Sequence, residues 1–138
     1  LPILYGIGSL YTSIMPNLIV DGVVEQLRSN PVKKIYFCNA MTQPGETDDF
    51  TLEDHVAAIQ KHSFSEAVDI VITHNNRAQR HILEKYKDMG SEPVRVAQEE
   101  HSYQILYRDV LNFDDDLIRH DSNKIRDVLG EIINSKDE

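Results

Sequence analysis

Three polar segments carry the side chains that can do chemistry. The first is Gly6-Ile7-Gly8-Ser9-Leu10-Tyr11-Thr12-Ser13. Its glycines let the main chain approach a ligand and expose N–H groups, and Ser9, Thr12 and Ser13 add hydroxyls, a combination that suits a diphosphate. The same residues also fit a tight turn with hydroxyl caps. The second, residues 39–50, holds Asn39, Thr42, Gln43, Glu46, Thr47 and Asp48. Its amides and hydroxyls can read a base or sugar edge, and Asp48 can hold Mg²⁺ through oxygen. A loop of this length leans towards function, although a solvated surface loop is polar too. The third is Arg119-His120-Asp121. Arg119 can pair with a phosphate and His120 can move a proton near neutral pH. The plainer reading, that Asp121 caps a helix and His120 is a loop residue, is preferred.

Other chemistries find no support. The remaining histidines have no metal-binding spacing, and neither a Walker A motif nor a Gly-x-Ser-x-Gly motif occurs. The single cysteine, Cys38, lies in an apolar run and reads as a buried hydrophobe. The cytoplasm is the expected compartment.

The elements that position these segments follow from pattern. Residues 2–6 read as a strand running into a glycine turn. Residues 21–29 read as a helix with Asp21 as N-cap and Asn30-Pro31 as its stop. A strand is expected over 33–38. Thr51 with Asp54 resembles a capping box, opening a helix with Val56, Ile59 and Ala57 or Ala58 inward. Residues 68–74 are a strand, 78–89 a helix ending at Gly90, 93–97 a short strand and 103–110 another. Asp114–Asp116 reads as a solvated loop. A last helix after Asp121 carries Ile125, Val128, Leu129 and Ile132 on one face, and 134–138 is expected to fray. Alternating strands and helices predict an α/β fold, a Rossmann-like, mostly parallel sheet with helices on both faces, forming a single domain over 1–138. Right-handed crossovers would bring Gly6–Ser13, Asn39–Asp49 and His74–Arg77 to one rim of that sheet.

The chain has 138 residues, 41% hydrophobic and 27% charged, ordinary values for a globular domain. No run approaches the roughly 20 apolar residues of a membrane span. The net charge of −9, with fourteen scattered Lys and Arg, argues against nucleic acid as a partner. A homo-oligomer is compatible with the sequence.

Residues 6–18 resemble the signature Gly-Pro-Gly-Ser-Leu-Tyr-Thr-Ser-Ile-x-Pro-Asn-Leu of the bacterial gluconeogenesis factors (YvcK-like), which are related to the CofD-like 2-phospho-L-lactate transferases. Residues 39–48 and Arg119-His120-Asp121 resemble two further signatures, and Gly90-Ser91-Glu92-Pro93-Val94 also fits. The resemblance covers essentially the whole chain, with Ile7 where proline is usual. It implies a Rossmann-like fold that binds a UDP-sugar, UDP-N-acetylglucosamine, and a link to gluconeogenic growth, cell shape and cell-wall synthesis. It implies ligand contacts from Tyr86 and Arg119, and places Ser122 where some relatives carry a phosphorylated threonine. The chain is then expected to be the C-terminal half of a larger fold, whose N-terminal half carries a Gly-Gly-Gly-Thr-Gly segment.

On this reading Gly6, Gly8, Ser9 and Thr12 cradle the diphosphate, Asn39, Gln43 and Thr47 line the pocket, Tyr86 stacks on or bonds the ligand, and Arg119 neutralises phosphate charge. A sensor that needs no cofactor is preferred to an enzyme. The alternatives are a phospholactyl-type transferase, using Mg²⁺ and a diphosphonucleoside donor with Asp48 as a metal ligand, and a non-catalytic scaffold with a vestigial pocket.

Overall fold

The computed structural model describes residues 1–135. Four parallel strands make one sheet: β1 (Ile3–Tyr5), β2 (Lys34–Phe37), β3 (Ile70–His74) and β4 (Gln104–Arg108), in that spatial order. All four residues of β2 are buried, as expected of a central strand covered on both faces. Lys34 tolerates burial because its Nζ donates to the carbonyls of Asn30 (2.8 Å) and Val32 (3.3 Å).

Successive residues of β2 and β3 serve opposite faces. Tyr36 and Val71 pack with Leu10, Leu52, Val56 and Ile59 on one side. Ile35, Phe37, Ile70 and Ile72 pack with Ile125 and Val128 on the other. The first face is covered by α3 (Leu52–Lys61), the second by α5 (Ser122–Asn134). Both helices begin where the sequence predicts. The Thr51 hydroxyl accepts from the Asp54 N–H (3.1 Å) while the Asp54 carboxylate accepts from the Thr51 N–H (2.9 Å). The Asp121 carboxylate accepts from the N–H groups of Asn123 and Lys124.

Helix α4 (Arg80–Asp88) ends on Gly90, which has a left-handed φ of 84°. The Gly90 N–H bonds the Lys87 carbonyl (2.9 Å) and the Ser91 N–H bonds the Tyr86 carbonyl (2.9 Å). This Schellman turn holds the last turn of α4, and Tyr86 with it, at a set position.

Four expectations change. Residues 10–18 are helical: a π-type turn (Leu10–Ile14) runs into α1 (Met15–Leu18). Its signal was the spacing of Leu10, Ile14 and Leu18, with Pro16 in the first turn, next to a glycine-rich start that reads as loop. Helix α2 (Val23–Ser29) is capped by Gly22 at φ 86°, not by Asp21. Residues 93–97 form no strand of the sheet. Pro93 lacks an N–H, and the segment is an extended strap whose neighbours come from loops. Thr42 N–H bonds the Glu92 carbonyl (2.8 Å), Val94 N–H the Ala40 carbonyl (2.9 Å) and Leu52 N–H the Arg95 carbonyl (2.8 Å). Finally, Arg119-His120 is not loop. It is β6 (Arg119–His120), antiparallel to β5 (Leu111–Asn112), with a 3₁₀ turn at Asp114–Asp116 between them. Of the stretch expected to fray, Asn134 closes α5, and 136–138 lie outside the described residues. Among the described residues no helix is long and apolar enough to cross a membrane.

Candidate functional site

A cleft of about 510 Å³ opens beyond the carboxyl ends of β1 and β2, within the size range of small-ligand sites. One wall is built by the loops that leave these strands. Gly6 turns the chain with φ 99°, and Gly8 lies so close to the following helix that a β-carbon there would sit 2.8 Å from Ser13 Cβ. The helical stretch begins at Ser9, whose carbonyl accepts from the N–H groups of Ser13 (2.9 Å) and Ile14 (3.1 Å). The second loop fastens the first. Asn39 Nδ2 donates to the Gly8 carbonyl (2.9 Å), Gln43 Nε2 donates to Ser9 Oγ (2.8 Å), and Asn39 Oδ1 accepts from the Tyr36 hydroxyl (2.6 Å). The Ser9 hydroxyl therefore keeps its own proton for a ligand. The main-chain N–H groups of Gly8 and Ser9 have no partner among the described residues.

The other wall comes from α4 and β6. The Tyr86 hydroxyl accepts from the Ile118 N–H (2.9 Å) and retains its proton to donate. His120 lines the cleft beside Ile118. Burial, with the His74 imidazole beside it, holds the His120 pKa below the usual histidine value. Phe37, Met41 and Met89 supply apolar surface.

The structure brings together Gly8, Ser9, Asn39, Gln43 and Tyr86. The other expected residues stand outside the lining. Gly6 is the hinge of the first turn. Thr12 is exposed on the π-type turn, because a helix beginning at Ser9 rotates it away. Thr47 is buried, its Oγ1 accepting from the Gln43 N–H (2.8 Å), so it shapes the loop instead of meeting solvent. Arg119 is exposed, on the side of β6 opposite His120 by strand alternation. Ser122 is exposed at the first position of α5.

Asp48 is exposed, and its carboxylate accepts from the Gly45 N–H (2.8 Å) within a turn. No carboxylate lines the cleft, and no group of three or more His, Cys, Asp or Glu suited to a metal occurs among the described residues. The side chains present do not fit a Mg²⁺ site. Cys38 is buried, its thiol pushed up to about 12 by burial, as suits a packing residue.

His120 itself is the cleft residue that the preferred sequence reading set aside. A two-residue strand carries no periodicity, so nothing local says which of Arg119 and His120 faces inward. The segment His74–Arg77, expected on the same rim, is close by but separate: His74, Asn76 and Arg77 line a smaller cavity of about 290 Å³, which shares Met41 and Ile118 with the cleft.

The family profile described as 2-phospho-L-lactate transferase CofD matches residues 2–111. The chain is 36% identical over 134 residues to a gluconeogenesis factor of Bacillus subtilis, covering 95% of this chain and 42% of that protein. It is 38% identical over 136 residues to a protein named putative gluconeogenesis factor from Thermotoga maritima, covering 94% and 43%. A solved protein of the UPF0052 family from Bacillus halodurans superposes with a TM-score of 0.85 at 36% identity, over 92% of this chain and 42% of that one. The chain thus spans about two-fifths of the length of the relatives it matches. By the match over residues 2–111, the chain belongs to the CofD family, and its curated relatives there are gluconeogenesis factors.

Proposed function

We propose that this chain contributes the nucleotide-sugar cleft of a regulatory protein, with UDP-N-acetylglucosamine as ligand. The observation that carries this reading is the pair of unpartnered N–H groups at Gly8 and Ser9, at the start of a helical stretch and on the rim of a parallel sheet. Free main-chain donors there suit an anionic diphosphate. Asn39 and Gln43 hold the turn that presents these donors, and the Tyr86 hydroxyl faces them from the other wall. Arg119 lies outside the lining, between the lining residues Ile118 and His120, and forms no ion pair among the described residues, so on this reading its long side chain swings round the edge of β6 to meet a phosphate. The link to gluconeogenic growth, cell shape and cell-wall synthesis belongs to this reading, with ligand binding as the signal.

Thermal melting of the whole protein tests it. UDP-N-acetylglucosamine is expected to raise the melting temperature in step with its concentration, and GDP to leave it in place. A rise with GDP alone would replace this reading with the transferase reading. No rise with either would leave a scaffold.

A further inference from the structure

The cleft proposed to take a diphosphate is almost devoid of charge. Among the described residues that line it there is no lysine, arginine, aspartate or glutamate, and His120 alone can become a cation. Its place is well set. Register pairing with Leu111 and the bond from Asp121 N–H to the Val110 carbonyl (2.8 Å) hold β6 against β5. The ring is partly buried and has no hydrogen-bond partner among the described residues.

The groups around His120 leave that role open. The end of β3 presents His74, whose Nδ1 faces the Asn76 carbonyl at 3.0 Å. From α4 comes Tyr86, whose oxygen already accepts from Ile118. From β5 come Leu111 and Asn112, which are uncharged. Of its chain neighbours, Arg119 is exposed outside the cleft, and the Asp121 carboxylate is engaged by the start of α5 and by Asn112 Nδ2 (3.2 Å). No carboxylate bonds the ring. Burial and His74 both disfavour the imidazolium, so the ring is neutral at pH 7 until an anion lies beside it.

We propose that His120 is an inducible cation: a nucleotide-sugar diphosphate docked against Gly8 and Ser9 draws a proton onto its ring, which then donates a hydrogen bond to a phosphate oxygen. This rests on the diphosphate reading of the cleft. The proton comes from solvent, and no bond of the ligand breaks. Binding is thereby linked to proton uptake. The bound anion raises the pKa of His120 above its free value. Affinity is therefore greatest below the free value and falls as pH rises through the window up to the bound value.

Isothermal titration of the whole protein with UDP-N-acetylglucosamine, between pH 6 and pH 8 and in buffers of different ionisation enthalpy, decides this. The ligand's diphosphate is a diester with no proton to gain or lose there, so any slope belongs to the protein. Affinity is expected to fall on the order of tenfold across the range, with proton uptake at neutral pH. Both effects should vanish in His120→Gln, which keeps a donor but does not titrate. Tight binding with a flat pH profile and no proton uptake would overturn the role of His120 and leave the cleft reading intact. A slope that survives in His120→Gln would overturn it as well. Absence of binding at every pH would remove the cleft reading and this one together. The wild-type buffer comparison stands even if the variant does not fold.

Discussion

The strap, taken with its continuation to Tyr103, and the far wall of the cleft carry similar side chains, a histidine and a tyrosine in each, yet they do opposite things with their polar atoms. There the Glu53 carboxylate of α3 accepts from the Ala97 N–H (2.8 Å), the Gln98 N–H (3.4 Å) and His101 Nε2 (2.6 Å), and His101 lies against Tyr103. Burial alone would raise the Glu53 pKa, but these hydrogen bonds outweigh it and hold the carboxyl below its usual value. In the cleft wall, Tyr86 keeps a donor and His120 keeps its ring uncommitted. Polar groups whose partners come from the fold stabilise it. Those left with spare capacity are the ones a ligand can use.

The strongest way to break this comparison is at Glu53. Glu53→Gln places an amide nitrogen against donors, and is expected to cost about 2–3 kcal/mol of stability at pH 7 with UDP-sugar affinity unchanged. Because the folded pKa of Glu53 is depressed, its contribution is present above the unfolded value of about 4.3 and is lost as pH falls through the folded value. Urea denaturation of both proteins at descending pH should show the gap closing on the acid side. A gap that stays constant down to pH 3 would mean the carboxylate charge is not what the strap uses.

Arg119→Ala tests the opposite outcome. It is expected to weaken UDP-N-acetylglucosamine binding by about 1.5–3 kcal/mol, a charge-assisted contact, while the melting temperature without ligand barely moves. Equal affinity in titrations of both proteins would remove Arg119 from the site.

Gly8→Ala sits where the two behaviours meet. The added β-carbon would stand 2.8 Å from Ser13 Cβ, and relieving that contact moves both the helix start and the turn. A loss of about 1–2 kcal/mol in stability, accompanied by weaker ligand binding, is expected from denaturation and titration. Loss of stability with full affinity would show that the turn is not the diphosphate cradle.

The smallest effect should come from Tyr86→Phe. It removes the acceptor for the Ile118 N–H, at about 1 kcal/mol, and the donor facing the cleft. If stability falls but affinity does not, Tyr86 belongs with the strap, and the comparison sharpens around His120 alone.

Local sequence determined the starts of α3 and α5, the end of α4 and the four strands of the sheet. The Thr51/Asp54 box, the Asp121 cap and the Gly90 turn bond within a few residues of themselves, so their chemistry is legible in order. Apolar runs at β2 and β3 announced strands buried on both faces, and the glycine turn and the loop with Asn39 and Gln43 form one wall of the cleft. Only the tertiary structure decided which polar atoms remain open. Thr47, Asp48 and Thr12 look as suited to a ligand as Ser9 does, but one is consumed within its loop, one closes a turn and one is rotated outward. Likewise Pro93–Ala97 reads as a strand until its partners prove to be loops, and His120 reads as loop until β5 pairs with it. In each case the deciding partner is distant in the chain or set by the path of the backbone, and residue order alone does not encode which side of a two-residue strand will face a cleft.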